Sequence, residues 1–261
     1  MGSVVSLTIA VIAVPDHARF LPGLMSNLQK GIGPGDQVVL ILSGFSAKCS
    51  RKLGLVIPET VCSIRVPHQS AGRNRNIAWS VSSAEVISFH DADDLYHPQR
   101  LEAVKRVFRD KSVDAFFHSY STFEVDEKNP PWQKLSTSVS EVHVGLVTDE
   151  EFRHNTLMKP PRDRKLELAH KGRSTNLTFD SPENEFPIHH GHGSFRTHLF
   201  PRLGFHEFAE FRNEDGVFAR DVLEAGAGIR VSPLRLSAYR QGSTARSLQK
   251  PWPFDRGKQI C

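Results

Sequence analysis

The sequence predicts an α/β protein: a Rossmann-like mixed sheet flanked by helices, in a single domain with a variable insertion. Three observations predict it. Four short apolar runs, rich in β-branched residues and bounded by turn residues, occupy 7–14, 37–42, 62–66 and 85–89. Helix-spaced segments separate several of them, and strand–helix–strand alternation indicates parallel pairing. A polar stretch at 123–187, rich in proline and charge, then interrupts the periodicity before ordered patterning resumes.

Taken in order, the run at 7–14 predicts the first strand. Phe20, Leu21, Leu24 and Leu28 have helical spacing, which predicts a helix over 20–30 stopped by Gly31, Gly33, Pro34 and Gly35. The second and third strands follow, and 72–81 forms a short helix before the fourth. Residues 98–109 predict an amphipathic helix, with Leu101, Val104, Val107 and Phe108 on one side and Pro98 in its first turn. A fifth strand is expected at 115–120. Beyond the insertion the pattern gives a strand at 189–195, a short helix at 197–203, a helix at 214–225 and two strands at 229–231 and 236–239. The expected divisions are therefore 1–122, 123–187, 188–245 and a basic tail, 246–261, with Trp252 and Phe254.

Composition excludes several classes. Hydrophobic residues make up 39% of the 261 residues and charged residues 24%, enough for a packed core. Lys and Arg total 33 against 29 Asp and Glu, a net charge of +4. The charges are mixed, and no basic track with interleaved aromatics points to nucleic acid. Cys49, Cys62 and Cys261 are too few and too scattered for a disulfide framework or a zinc site, which fits a reducing compartment and predicts a cytoplasmic protein. The apolar run at 4–14 is too short to span a membrane and lacks a basic leader, so neither a span nor a signal peptide is expected.

The densest chemical signal is Phe89-His90-Asp91-Ala92-Asp93-Asp94, a hydrophobic strand ending in three carboxylates. In open parallel sheets, ligands bind outside the carboxyl ends of the strands. If the segment is extended, Asp91 and Asp93 point to the same side. Crowded carboxylates repel each other, and a divalent cation relieves the repulsion. Oxygen ligands suit Mg²⁺ or Mn²⁺, which leave positions open for phosphate oxygens. The competing reading of these residues alone is an acidic turn capping the helix at Pro98.

Several blocks in the same order resemble glycosyltransferase family 2. Residues 7–21 look like its opening strand and turn, and Ser70-Ala71-Gly72-Arg73-Asn74-Arg75-Asn76-Ile77-Ala78 resembles its Arg-Asn block. Residues 89–94 are similar to its acidic metal motif. Gly191 to Arg196, then Leu203-Gly204-Phe205, resemble the strand and turn before its catalytic helix, and Glu214-Asp215 with Gly226 resembles that helix and its stop. Tyr239-Arg240 echoes the following strand.

The resemblance implies a GT-A fold and a metal-dependent transferase with Mn²⁺ or Mg²⁺. It would move sugar from a UDP-, GDP- or dTDP-linked donor to a glycan or other acceptor hydroxyl. By the same resemblance, residues 1–122 form the nucleotide-sugar-binding half and 188–245 the acceptor-binding, catalytic half. Asp93 and Asp91 are the implied metal residues, with Asp91 also reaching the ribose. Arg73 braces Asp91 or a phosphate. Pro15, His17 and Ser43 line the donor site, and Asp215 is the general base of an inverting transfer.

The chain departs from the pattern in named places. Ser43-Gly44-Phe45-Ser46 stands where the family has a base-reading Asp, Asn76 replaces a Gly, Asp221 an Arg, and Gln241 a His. His189, His190 and His192 form a dense cluster that reads as acceptor-floor packing before it reads as a metal site. Three competing classes remain: a non-catalytic carbohydrate-binding relative, a haloacid-dehalogenase-like phosphotransferase, and a nucleotidyltransferase. The second normally carries its Asp-x-Asp after the first strand, and the third needs a Gly-rich phosphate loop that 14–24 lacks.

Overall fold

The computed structural model describes residues 5–47, 56–124, 145–146, 176–179, 181–187, 191, 193–207, 218, 221–222 and 225–241. The four apolar runs form β1 (Leu7–Ala13), β2 (Gln37–Ser43), β3 (Val61–Val66) and β4 (Val86–Asp91). They pair in parallel in the order β3-β2-β1-β4. β6 (Ala115–Glu124) extends past the expected end of the fifth strand. β10 (Gly193–Arg196) runs antiparallel between β4 and β6 and so joins the two halves of the sheet.

β11 (Ile229–Gln241) is one strand parallel to β6, where two were expected. Its register shifts between Ser232 and Ser237. Pro233, which has no N–H for the ladder, interrupts the pattern there without ending the strand. β5 (Leu95–Tyr96) and β7 (Gly145–Leu146) both pair antiparallel with β11. Within the expected insertion, β8 (Asn176–Phe179) and β9 (Ser181–Pro187) form a separate hairpin.

Side-chain alternation divides the core between the two faces of the sheet. Val38, Leu40 and Leu42 of β2 join one cluster, and Val39 and Ile41 join the other. The first face is covered by α1 (Leu21–Gln29), through Leu21, Leu24 and Leu28, and by α3 (Arg100–Val107), through Leu101 and Val104. The second face is covered by α2 (Ala71–Ser80), with Trp79 inserted among Phe89, Phe195, Phe205 and Phe218. Of the helix expected at 214–225, Phe218, Asp221 and Val222 are described and helical. Gly226, at φ 75°, ends it in the left-handed conformation that favours glycine. No helix among the described residues is long and apolar enough to cross a membrane.

Candidate active site

β4 delivers the acidic motif to the carboxyl edge of the sheet, but not in extended form. The Asp94 N–H donates to the Asp91 carbonyl at 3.3 Å, which closes a turn over Ala92 and Asp93. The expected same-side pointing of Asp91 and Asp93 therefore does not apply, because pleating stops at Asp91. The turn is anchored by fully buried Ala92. Asp91 is the last residue of the strand and shares its face with Ile87 and Phe89, the face covered by α2 and Phe218. It is half-buried, whereas Asp93 and Asp94 are 7% and 2% exposed.

Side chains from distant parts of the chain frame this turn. The Tyr96 hydroxyl accepts the Asp91 N–H and donates to the Asp91 carbonyl at 3.1 Å. Tyr96 is itself gripped by Asn27 of α1, which accepts the Tyr96 N–H and donates to its carbonyl, each at 2.9 Å. On the other side Arg240 donates its backbone N–H to Asp94 Oδ1 at 2.8 Å and its Nε to the Asp93 carbonyl at 2.7 Å. Its guanidinium lies between the Phe20 and Phe123 rings, 4.6 and 4.3 Å from their centroids. Burial lowers the Arg240 pKa, while Asp93 and Asp94 act to raise it.

Beneath the turn, His90 packs against Tyr96 with ring centroids 4.0 Å apart, and its Nε2 meets Ser88 Oγ at 3.3 Å. Burial, then the Arg100 charge, holds the pKa of both His90 and His118 well below the usual imidazole range, so both are neutral. Tyr96 titrates well above the usual phenol range, because burial and then Asp94 and Asp91 disfavour its anion. It therefore keeps the proton that it donates to Asp91.

Other expected site residues fall in different places. Pro15 and His17 occupy one half-buried 3-10 turn directly after β1, the strand beside β4. Ser43, expected in the donor site, is engaged within the protein. It is fully buried at the end of β2, where its hydroxyl donates to the Pro67 carbonyl and accepts the Gln69 N–H, both at 3.3 Å. Arg73 does not brace Asp91. It lies exposed in the first turn of α2, while Arg75 is the buried arginine of the block, 5.3 Å from the Phe205 ring centroid. Arg240 braces the neighbouring residues of the turn, Asp93 and Asp94.

The substitution of Asn for Gly at position 76 has a visible consequence. Asn76 accepts the Phe205 N–H at 2.8 Å and donates to the Phe205 carbonyl at 2.9 Å, which ties the 204–207 segment to α2. Ser70 reinforces this with a 2.7 Å bond to the Glu207 carbonyl, and Gly72 leaves room for the close approach of the His206 carbonyl. Asp221 pairs with His206 at 3.0 Å, so the residue in place of the family's Arg secures the same segment. Asp215, His189, His190, His192, Trp252 and Phe254 lie outside the described residues.

Sequence reasoning missed Asn27, Tyr96 and Arg100, and read Arg240 only as part of a block. A signal existed for Arg100. With Ala103, Val104 and Val107 it falls at i, i+3, i+4 and i+7, on the stripe that faces the core. A charge on that stripe marks a buried functional group or an error in the helix assignment.

Asp91 and Asp93 supply hard carboxylate oxygens, a donor type that suits Mg²⁺ or Mn²⁺ when phosphate and water oxygens complete the shell. Among the described residues no group of three His, Cys, Asp or Glu forms a cage of its own.

An uncharacterized glycosyltransferase of Nostoc sp. (strain PCC 7120) is 23% identical over 141 residues, covering 51% of this chain and 44% of that protein. S. aureus TarS, residues 1–349, aligns over 90% of this chain and 60% of its own with a TM-score of 0.55 and 14% identity. Its complex with UDP-GlcNAc gives a TM-score of 0.58 at 14% identity, over 90% of this chain and 58% of that one. The chain thus spans less than two thirds of these relatives. At such identities TarS speaks for the fold, and the α/β GT-A expectation holds. The profile described as Glycosyl transferase family 2 matches residues 49–180, just over half of the sequence and inclusive of the Arg-Asn block and the acidic turn. The chain belongs to glycosyl transferase family 2.

Proposed function

We propose that this chain transfers a sugar from a nucleotide-activated donor to an acceptor hydroxyl, with Mn²⁺ or Mg²⁺ held at the acidic turn by Asp93 and Asp91. The observation that carries the reading is the turn itself: carboxylates at the carboxyl end of a central parallel strand, framed by Tyr96 and Arg240, in a family 2 chain. When bound, the cation supplies Lewis-acid neutralisation of the departing nucleoside diphosphate. Pro15 and His17 line the base pocket. Arg73, exposed at the start of α2, meets a phosphate through charge-assisted bonds. TarS was solved with UDP and with UDP-GlcNAc, which favours uridine donors as the first to test, ahead of GDP- and dTDP-linked sugars.

Asp215 takes the proton of the acceptor hydroxyl, and the oxygen attacks the anomeric carbon in line, inverting its configuration. Two features support a base from this part of the chain. The 204–207 segment, which leads toward it, is tied to the first turns of α2, and Phe218, just after it, packs on the face that Asp91 shares. We infer a role in acceptor choice for the insertion, 123–187, from its place in the sequence just before the presumed acceptor strand. Deleting it without altering acceptor choice counts against that role.

One observation favours a second reading, a carbohydrate-binding relative without turnover: Ser43, buried and engaged, replaces the base-reading Asp. The motif ends the fourth strand in sequence, which leaves the dehalogenase-like class without support. The deciding experiment is a nucleotide-sugar screen by thermal shift with and without Mn²⁺, since a ligand that binds only the folded chain raises its stability. Release of nucleoside diphosphate is followed in the same samples. Transferase chemistry requires metal-dependent stabilisation by one donor and slow release from it. Asp93→Ala removes both, and Asp215→Asn keeps the stabilisation and loses transfer. Binding without release in the native chain selects the second reading, and normal transfer by Asp215→Asn removes the base assignment.

A further inference from the structure

Among the described residues, Arg100 is the most unusual charge. It sits at the start of α3, on the stripe that faces the sheet, and it is fully buried. Its NH1 donates to Ser237 Oγ at 3.2 Å, and its NH2 to the Phe89 carbonyl at 3.0 Å and Ser88 Oγ at 3.4 Å. Its Nε has no hydrogen-bond partner. All these acceptors are neutral, and Arg100 makes no ion pair among the described residues. Burial lowers its pKa to about 10, against Tyr96, Asp91 and Asp94, which raise it, so the group is charged at neutral pH.

A buried, unpaired guanidinium is costly, and well-packed apolar residues commonly replace buried charges without loss of stability. Packing alone therefore does not call for arginine here. The surroundings supply a reason. Its guanidinium carbon lies 4.5 Å from the Tyr96 ring centroid, and the Tyr96 hydroxyl bonds the Asp91 backbone. The Phe89 carbonyl that it holds is two residues before Asp91. Arg100 thus contacts the strand and the tyrosine that support the acidic turn, and Arg240 bonds the turn itself at Asp93 and Asp94.

We propose that Arg100 is a built-in counter-charge for the acidic turn, acting on Asp91 and Asp94 before any cation arrives and weakening the turn's affinity for a free divalent ion. The inference rests on the reading of Asp91 and Asp93 as metal residues. Arg100 acts through Tyr96 and through its field, so it is a positioning residue and not a catalytic one. Its effect has a sign that a purely structural residue does not share. Deleting a supporting contact loosens a site and weakens binding, whereas deleting a nearby positive charge strengthens the attraction for a cation.

The experiment titrates the full chain with Mn²⁺, without and with UDP, and reads bound ion by electron paramagnetic resonance. Arg100→Met removes the charge and keeps much of the volume. Arg100→Gln also removes the charge but keeps a hydrogen-bond donor, which guards against a folding failure in the first variant. Arg100→Lys keeps the charge. The expected result is Mn²⁺ binding about tenfold tighter in Arg100→Met and Arg100→Gln, and within about twofold of the native chain in Arg100→Lys. Native-like or weaker binding in the neutral variants overturns the inference and leaves the metal reading intact. Tightening in Arg100→Lys also overturns it, because charge is then not the cause. Absence of Mn²⁺ binding in every chain, with or without UDP, overturns the metal reading and the inference together.

Discussion

Arg240→Met tests whether the acidic turn is held from β11. The substitution removes the Nε bond to the Asp93 carbonyl, a charge-assisted bond of 2.7 Å whose kind contributes about 1.5–3 kcal/mol. It also removes a cation from between the Phe20 and Phe123 rings, each contact contributing roughly 0.5–1 kcal/mol. Methionine retains part of the stem packing, and the backbone N–H to Asp94 Oδ1 is untouched. The net destabilisation is about 2–4 kcal/mol, which for a chain of this size lowers Tm by roughly 5–15 °C. Arg240→Lys restores little of it, because an ammonium cannot lie flat between two rings while its nitrogen reaches the carbonyl. The assay is thermal unfolding of the unliganded chain, with amide exchange followed across residues 91–96. Stability is the correct readout, since lost charge and lost framing push cation affinity in opposite directions. An Arg240→Met chain that melts within about 2 °C of the native one, with unchanged exchange at Asp91 and Asp94, refutes the reasoning.

Two further predictions concern the frame. A Cβ at Gly72 lies 1.9 Å from the His206 carbonyl oxygen, so Gly72→Ala displaces the 204–207 segment and costs roughly 1–3 kcal/mol despite alanine's better helix propensity. Gly23→Ala in α1 meets nothing within 4 Å and raises stability by up to about 1 kcal/mol, so the pair of melting temperatures separates crowding from propensity. His118 is 1% exposed, and burial depresses its pKa, so the unfolded chain binds a proton that the native chain does not. Its contribution is complete above the unfolded value, about 6.5, and is lost below it at about 1.4 kcal/mol per pH unit. The slope of stability between pH 6.5 and pH 5 should fall by about that amount in His118→Gln; an unchanged slope counts against a neutral buried imidazole.

The fold was legible wherever a segment's own pattern determines its burial. The runs of β1, β2 and β4 are continuous apolar stretches because both faces of the central sheet are covered, and their ends lay within two residues of the expected ones. The helices of α1 and α3 announced themselves by the stripe at 21, 24 and 28 and by Leu101, Val104 and Val107. β11 was read as two strands because Pro233 breaks local alternation, although the ladder to β6 continues past it. The acidic turn was legible as composition but not as shape, since Ala92 reads equally well in a strand or a turn.

The framing of that turn was illegible for a different reason. Asn27 reaches Tyr96 across 69 residues of sequence and Arg240 reaches Asp94 across 146. In most of these bonds at least one partner is a backbone group: the N–H and carbonyl of Asp91, the carbonyl of Asp93 and the N–H of Arg240. A backbone carbonyl accepts from any donor that the fold brings near, so the residue that carries it leaves no mark of the partnership in the sequence. What does leave a mark is the cost. An arginine on an apolar stripe, an asparagine in place of a helix glycine and a serine in place of an aspartate each break a local expectation, and each is satisfied by a partner from elsewhere in the fold. Local violations of pattern are therefore the part of a site that sequence reveals best. Arg100 violates its pattern most strongly, since burying a guanidinium opposes folding unless the negative charge above it supplies the compensation.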